Sequence, residues 1–276
     1  MNHVELIVNV EPQELGSDIL IAELSEIEFE SFVESETGFY AYIKEDAYSE
    51  INVKKLFLNY SHILKISYIS KIIEKQNWAK EWESNYRAID VDGKCSIRAP
   101  FHEKKKNIDY DIIIEPKMSF GTGHHNTTQL MIKKLLKLNL NNKSLLDIGC
   151  GTGVLAILAS MLGANPITAI DIDDWCYENS IENLQKNNIK NVTVYKGDSK
   201  ILNGKSFNTI LANINKNVLL SDMKVYNNSL EQNGNLVLSG FFETDIIEIN
   251  KSAADLGLKM EEKLIIDEWA MLHFKK

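Results

Sequence analysis

A glycine-rich segment, D-I-G-C-G-T-G-V over residues 147–154, has the residue types of a nucleotide-binding loop. Its glycines, Gly149, Gly151 and Gly153, allow the backbone to approach a bound ligand closely. A P-loop ends in Gly-Lys-Ser or Gly-Lys-Thr, which this segment lacks, so a triphosphate ligand is disfavoured. The dinucleotide fingerprint requires a glycine where Val154 stands. A nicotinamide-dependent oxidoreductase is therefore the less favoured alternative.

Three aspartates stand at the ends of three successive apolar runs, each with the length of a strand. Asp147 ends the first run, where a carboxylate repels a pyrophosphate but suits a cofactor that carries an ammonium group. Asp171 lies eighteen residues past Gly153, where a carboxylate accepts hydrogen bonds from both hydroxyls of a ribose. Asp198, in Y-K-G-D-S, is placed to receive an adenine amino group. The set predicts S-adenosylmethionine as the cofactor.

Residues 94–276 alternate short apolar runs with helical segments. The runs are K-S-L-L-D-I-G, P-I-T-A-I-D-I, V-T-V-Y-K-G, F-N-T-I-L-A-N-I and G-N-L-V-L-S-G-F. Such alternation is typical of a parallel sheet covered by helices on both faces. The predicted fold class is α/β, with a doubly wound, mostly parallel Rossmann-like sheet. The carboxyl ends of its strands, and with them the aspartates, share one edge.

Residues 1–75 predict a small separate α+β domain. The element order is β-α-β-β-α-β, a ferredoxin-like arrangement whose antiparallel sheet leaves one face open. This segment carries fourteen acidic residues against six lysines, a net charge of -8 out of -9 for the whole chain. That charge repels a nucleic-acid backbone and attracts a basic protein. We therefore predict a substrate-recognition domain for a basic protein, with no direct nucleic-acid partner.

An RNA-recognition motif is the competing interpretation of this open sheet. That motif needs aromatic residues on one exposed face together with basic residues. Phe39 and Tyr40 are adjacent on one predicted strand, so they point to opposite faces. The acidic charge also opposes RNA, and the protein-docking interpretation is favoured.

Residues 76–93 are predicted to be a partly helical linker, in which Trp78 and Trp82 pack from one helical face. The chain lacks a secretory signal and an apolar run long enough to span a membrane. We expect a cytoplasmic monomer without membrane contact. Three cysteines are present: Cys95, Cys150 and Cys176. Their number and spacing do not support a disulfide framework or a metal site.

Four segments together resemble the bacterial family that methylates large-subunit ribosomal protein L11. They are F-G-T-G-H-H-N-T-T at 120–128, A-N-I at 212–214, Q-N-W-A-K-E-W in the linker and E-W-A-M-L-H-F near the end. The resemblance implies an S-adenosylmethionine-dependent methyltransferase whose N-terminal domain recognises the substrate. It implies methylation of lysine side chains, the N-terminal amine, or both. Another basic protein or a small-molecule amine is the alternative acceptor.

The resemblance also implies roles for particular residues. Thr128, Gly149, Asp171 and Asn213 are implied to contact the cofactor, with Asn213 beside the transferable methyl group. An amide oxygen there is suited to orient the acceptor amine. Phe120 is expected to cover the cofactor, because the flanking glycines of F-G-T-G give its backbone freedom.

His124 is a candidate proton acceptor in the same loop. The family commonly has Thr-His-Pro-Thr-Thr where this chain has His-His-Asn-Thr-Thr, at residues 124–128. It commonly has Ala-Gly-Pro after Asn-Ile-Leu where this chain has Asn-Ile-Asn-Lys-Asn, at residues 213–217. Both departures border the predicted active site, so the preferred acceptor is open to change.

Overall fold

The computed structural model describes residues 2–73, 83 and 85–276. Trp78 and Trp82 lie outside the described residues. The chain divides into two compact units, residues 1–85 and residues 86–276. The division falls inside the segment predicted as a linker, and Ile89–Val91 of that segment form a strand of the second unit.

The first unit is a four-stranded antiparallel sheet with two helices. Its elements are β1 (His3–Glu11), α1 (Gln13–Ser25), β2 (Ser31–Ser35), β3 (Gly38–Lys44), α2 (Glu50–Tyr60) and β4 (Lys65–Ile73). The strand order is β2-β3-β1-β4, and every pairing is antiparallel. The predicted ferredoxin-like arrangement is confirmed.

Buried and more exposed side chains alternate strictly along β1, so they point to the two opposite faces of this sheet. Leu6 and Val8 are fully buried, as are Leu20 and Leu24 of α1. The strand residues between them point away from the helices, since successive side chains of a strand face opposite sides. One sheet face therefore forms the core of the unit, and the other is open.

The second unit contains a seven-stranded sheet and a three-stranded sheet. Its strands are β5 (Ile89–Val91), β6 (Cys95–Arg98), β7 (Tyr110–Ile113), β8 (Leu145–Ile148), β9 (Ile167–Asp171), β10 (Val192–Lys196), β11 (Phe207–Asn213), β12 (Leu230–Phe242), β13 (Lys259–Ile266) and β14 (Trp269–Lys275). Its helices are α3 (Asn126–Leu135), α4 (Val154–Met161), α5 (Asp174–Lys186), α6 (Lys216–Ser229) and α7 (Ile246–Ala254).

The large sheet has the order β10-β9-β8-β11-β12-β14-β13. Five neighbouring strands are parallel to one another: β10, β9, β8, β11 and β12. Strand β14 pairs antiparallel with both β12 and β13. Leu145 and Leu146 of β8 belong to different apolar clusters, one shared with α3 and α4 and the other with α6 and α7. Each face of the sheet is therefore covered by helices. The predicted doubly wound fold is confirmed.

Two groups of strands in this unit were not among the five strands predicted from the sequence. The short strands β5, β6 and β7 form their own sheet, and β13 and β14 form a hairpin at one edge of the large sheet. In the part of the chain that the structure describes, no helix has the length and apolar character needed to cross a bilayer.

Candidate active site

A cavity of about 500 Å³ opens at the carboxyl ends of the parallel strands. The chain leaves β8 toward β9 on one side and returns to β11 on the other, so the strand order reverses between β8 and β11. Open α/β sheets bind ligands at such a switch point. Of the predicted site residues, six line the cavity: Phe120, Gly149, Gly151, Asp171, Asp198 and Asn213.

The glycine loop is held against the F-G-T-G segment by two hydrogen bonds from Thr152 to backbone carbonyl groups. Thr152 N–H donates to the carbonyl oxygen of Phe120 at 2.9 Å, and Thr152 Oγ1 donates to that of Gly121 at 2.7 Å. Gly151 has a φ of +54°, and a Cβ there would lie 2.2 Å from the oxygen of Phe120. Only glycine permits both this conformation and this approach.

Asp171 joins the end of β9 to the glycine loop. Its Oδ2 accepts from the backbone N–H of Gly151 at 2.8 Å, and its Oδ1 accepts from that of Asp173 at 3.1 Å. The carboxylate is thereby fixed in orientation while it lines the cavity. Because each oxygen has a second lone pair, the group can still accept hydrogen bonds from a diol.

Asp198 lies at the cavity wall after β10 and caps the short 3₁₀ turn over residues 199–202. Its Oδ1 accepts from the backbone N–H of Lys200 at 2.9 Å, and its Oδ2 lies 3.0 Å from the Lys200 ammonium. These contacts lower the pKa of Asp198, and the backbone N–H of Lys200 has the largest effect. The group is an ionised acceptor at the predicted adenine position.

Asn213 ends β11 and lines the cavity with an unsatisfied acceptor. Its Oδ1 is buried and has no hydrogen-bond partner among the described residues. A buried amide oxygen without a partner is costly. The position is therefore suited to a ligand that brings an N–H donor, such as an ammonium group or an amine.

Three other predicted residues, Thr128, Asp147 and Gly153, lie behind the wall rather than in it. Gly153 begins α4 in the left-handed conformation. Thr128 is fully buried, and its Oγ1 has no partner in the described chain. Thr127, one residue earlier on α3, lines the cavity instead, because neighbouring helical residues point about 100° apart.

Asp147 is buried beneath the glycine loop. Its Oδ2 accepts from the backbone N–H of Ala156 at 3.1 Å, while its Oδ1 has no partner among the described residues. Burial raises the pKa of Asp147 to about 7, against the lowering effect of the Ala156 N–H, and Asp171 raises it further. The side chain supports the start of α4 rather than forming part of the cavity lining.

The two adjacent histidines have different surroundings. His124 lies outside the wall, with Nε2 3.0 Å from the carbonyl oxygen of Arg87 and Nδ1 3.1 Å from Thr122 Oγ1. His125 lines the cavity and caps α3, its Nδ1 accepting from Thr127 N–H at 3.3 Å. His124, the predicted proton acceptor, therefore does not line the cavity, whereas its neighbour His125 does.

Aromatic rings surround His125 at one side of the cavity. Its ring centroid lies 5.2 Å from that of Phe120 and 4.5 Å from that of Trp269. Trp269 in turn lies 4.2 Å from Phe242. Phe120 is 48% exposed, so its outer face remains available to a ligand. Sequence reasoning did not place Trp269 in the site, although it lies in the E-W-A-M-L-H-F segment.

Comparison with known proteins identifies the family to which the chain belongs. The sequence matches the family described as ribosomal protein L11 methyltransferase (PrmA) over residues 8–276. The chain belongs to the ribosomal protein L11 methyltransferase family. The predicted family, enzyme class and cofactor are confirmed: the chain is an S-adenosylmethionine-dependent methyltransferase.

Full-length relatives of this family are closely similar to the chain. The ribosomal protein L11 methyltransferase of Phocaeicola vulgatus is 42% identical over 278 residues, covering 99% of each chain. That of Porphyromonas gingivalis is 44% identical over 264 residues, covering 95% of this chain and 91% of the relative. The solved ribosomal protein L11 methylase from Lactobacillus delbrueckii subsp. bulgaricus is 25% identical, with a TM-score of 0.64 over 68% of this chain and 98% of that chain.

The cavity of this family member fits its cofactor chemically. Asp171 presents acceptors suited to ribose hydroxyls, and the orphaned oxygen of Asn213 needs an N–H donor. A Cβ at Gly149 would lie 2.2 Å from Ile214, so side chains are excluded where the cofactor must approach the backbone. These features suit an adenosyl group joined to a zwitterionic amino acid.

Several residues of this methyltransferase cavity were not predicted, among them Cys176, Asp222 and Tyr226. Tyr226 OH lies 3.4 Å from Asp222 Oδ2, to which it donates. The sequence predicted no metal site. Among the described residues, Asp171, Asp173 and Cys176 have potential ligand atoms within 4.8 Å of one another.

Substituting Asp147 by asparagine is expected to remove a pH dependence from the stability of this methyltransferase. The folded-state pKa of about 7 lies above the unfolded value of 3.8. Wild-type stability therefore falls as the pH rises from about 4 to about 7, because only the unfolded state ionises in that window. Between these limits we expect D147N to gain roughly 2–4 kcal/mol relative to wild type.

Urea denaturation of both proteins at several pH values measures this difference. The exposed Asp255 provides the control, since D255N also removes one carboxylate while leaving Asp147 in place. An equal pH dependence in D147N and wild type would contradict the expectation.

Proposed function

We propose that this chain transfers methyl groups from S-adenosylmethionine to amino groups of ribosomal protein L11. The acceptors are lysine side chains, the N-terminal amine, or both. The observation that carries the proposal is the family match over residues 8–276, which spans both units. A methyltransferase core alone would not specify a substrate, since this fold serves many acceptors.

The N-terminal unit supports a basic protein as the substrate. Its open sheet face carries an apolar row in which Val33 pairs with Tyr40, Tyr40 with Ile7, and Ile7 with Ile69. Val33 and Ile69 are 52% and 60% exposed. An apolar row on a domain of charge -8 provides both contact area and electrostatic attraction for a basic partner. This unit is the proposed substrate-recognition domain.

Methyl transfer to an amine is an in-line displacement, for which the bound cofactor supplies a methyl group on a sulfonium centre. The protein must align the acceptor nitrogen and keep it neutral. Desolvation lowers the pKa of an ammonium group, and Phe120 and Trp269 provide an apolar wall that excludes water. Asn213 Oδ1 accepts an N–H of the amine and so directs its lone pair.

The environment of His125 argues against its use as a general base. Its Nδ1 lies 3.3 Å from the Thr127 backbone nitrogen and 2.8 Å from Thr127 Oγ1, and we propose the tautomer in which Nδ1 is the acceptor and the ring proton is on Nε2. Burial lowers the pKa of His125, which favours this neutral form. The ring is proposed to serve as a wall and as an Nε2–H donor beside the acceptor.

Replacing Asn213 by alanine is expected to lower kcat by about 100-fold, because the amine loses the acceptor that orients it. N213D is the matched variant, since a carboxylate of the same size keeps an acceptor oxygen at this position. Steady-state kinetics at saturating cofactor should rank wild type first, then N213D, then N213A. Equal kcat values for N213A and wild type would remove Asn213 from the proposed mechanism.

The direct test is to incubate the purified chain with methyl-labelled S-adenosylmethionine and ribosomal proteins from a strain that lacks this activity. Label located by mass spectrometry on lysine or the N-terminal amine of L11 would support the proposal. Label on another basic protein or on a small-molecule amine would identify a different acceptor for the same methyltransferase.

We also propose that the chain acts as a cytoplasmic monomer. Sedimentation of the active protein at micromolar concentration tests the oligomeric state.

A further inference from the structure

One side-chain hydrogen bond connects two distant segments beside the cavity. Asn126 Nδ2 donates to Asp267 Oδ2 at 2.7 Å, across 141 positions of sequence. Asn126 is the first residue of α3, and Asp267 lies in the turn between β13 and β14.

Each partner of this bond is next to an aromatic residue of the cavity wall. His125 immediately precedes Asn126, and Trp269 follows Asp267 by two residues. The two rings meet edge to face, with centroids 4.5 Å apart and planes at 71°. The bond therefore joins the backbones that carry these two rings.

The backbone at Asp267 is adapted to this arrangement. Its φ is +52°, a left-handed conformation that aspartate and asparagine tolerate better than most residues. The next residue is also anchored, because the carbonyl oxygen of Glu268 accepts from Glu243 N–H at 2.8 Å. The turn is thus held on one side by Glu243, the residue after β12, and on the other by Asn126.

We propose that Asn126 and Asp267 are a positioning pair that sets the spacing of His125 and Trp269 at the acceptor side of the cavity. The proposal rests on the proposed function, since the ordered wall matters only if an amine is aligned there.

The variants N126A, D267G and N126A/D267G test the pair. Glycine is chosen at position 267 because it removes the carboxylate while tolerating a positive φ. Each single change should lower kcat/KM for the protein acceptor by about 3- to 10-fold, and the double variant should lose no more than the larger single loss. The dissociation constant of S-adenosylmethionine should stay at the wild-type value.

Two matched variants separate positioning from a general loss of a surface bond. D267N keeps an acceptor oxygen and should retain wild-type kcat/KM. S206A removes another exposed bond to a carboxylate, that of Ser206 to Glu231 near the start of β11, and should also leave kcat/KM unchanged. Thermal unfolding of all variants establishes that each one folds.

Trp269 emission provides a readout that does not depend on turnover. It is obtained as the difference between each variant and its W269F counterpart, and it should shift to longer wavelength in N126A and D267G but not in D267N. Wild-type kinetics and emission in N126A and D267G, or losses that add in the double variant, would overturn the proposal. If the wild type methylates no ribosomal protein, the proposed function fails, while the emission comparison still decides whether the pair positions Trp269.

Discussion

The variant D171A is expected to bind S-adenosylmethionine at least about 100-fold more weakly than wild type. Two losses combine in this variant. The ribose hydroxyls lose a charged acceptor, which is worth about 1.5–3 kcal/mol for a hydrogen bond to an ionised group. The N–H groups of Gly151 and Asp173 also lose the carboxylate that fixes them, so the loop is released together with the ligand contact.

Asp174 offers a matched control for D171A. It stands three residues further on, at the start of α5, and its carboxylate lies 2.5 Å from the Lys196 ammonium. It is not part of the cavity lining. Calorimetric titration with S-adenosylmethionine should therefore show wild-type affinity for D174A and greatly reduced affinity for D171A.

An intermediate variant, D171N, keeps an acceptor oxygen but loses the charge. Its affinity should fall between those of D171A and wild type. If D171A bound the cofactor as tightly as D174A does, the assignment of the ribose to the end of β9 would be wrong.

The second large effect is expected from G151A. The added Cβ would lie 2.2 Å from the carbonyl oxygen of Phe120, in a residue whose φ is +54°. Backbone atoms cannot yield as a flexible side chain does, so the glycine loop and the F-G-T-G segment must separate. We expect a loss of about 3 kcal/mol in the free energy of unfolding and cofactor affinity lowered by about 100-fold or more.

The variant G204A separates the cost of the left-handed backbone conformation from the cost of the contact with Phe120. Its φ is +75°, and a Cβ there meets nothing within 4 Å. G204A therefore measures the cost of a left-handed alanine alone, about 1 kcal/mol. Denaturant unfolding and calorimetry of the two variants should show a small stability loss with normal binding in G204A. Similar results for both variants would mean that contact with Phe120 does not shape the loop.

Some residues of the site could be placed from their position relative to a single predicted strand. Asp171 ends β9 and Asp198 follows β10 by two residues, while Asn213, which the family resemblance implied, ends β11. Parallel strands bring their carboxyl ends to one edge. The positions of these residues along the sequence were therefore sufficient to bring them together. Gly149 and Gly151 follow β8 at the same edge, and their backbone freedom was evident from residue type alone.

Side-chain direction within the H-H-N-T-T segment did not follow from local spacing. His124 and Thr128 were the predicted site residues of this segment, whereas the cavity is lined by His125 and Thr127. The start of α3 decides this, because His125 caps the helix and each following residue turns about 100°. A shift of one residue in a helix start moves a side chain into the cavity or away from it.

The sequence by itself determined the two-part architecture, the parallel sheet and the cofactor, because these depend on periodicity, residue type and the order of elements. Only the tertiary structure placed Trp269 beside His125, put Asp147 behind the wall and joined Asn126 to Asp267. Those relationships depend on the β13–β14 hairpin packing against β12 and on burial. Contacts across 141 positions leave no local pattern, since they arise from how complete elements pack together.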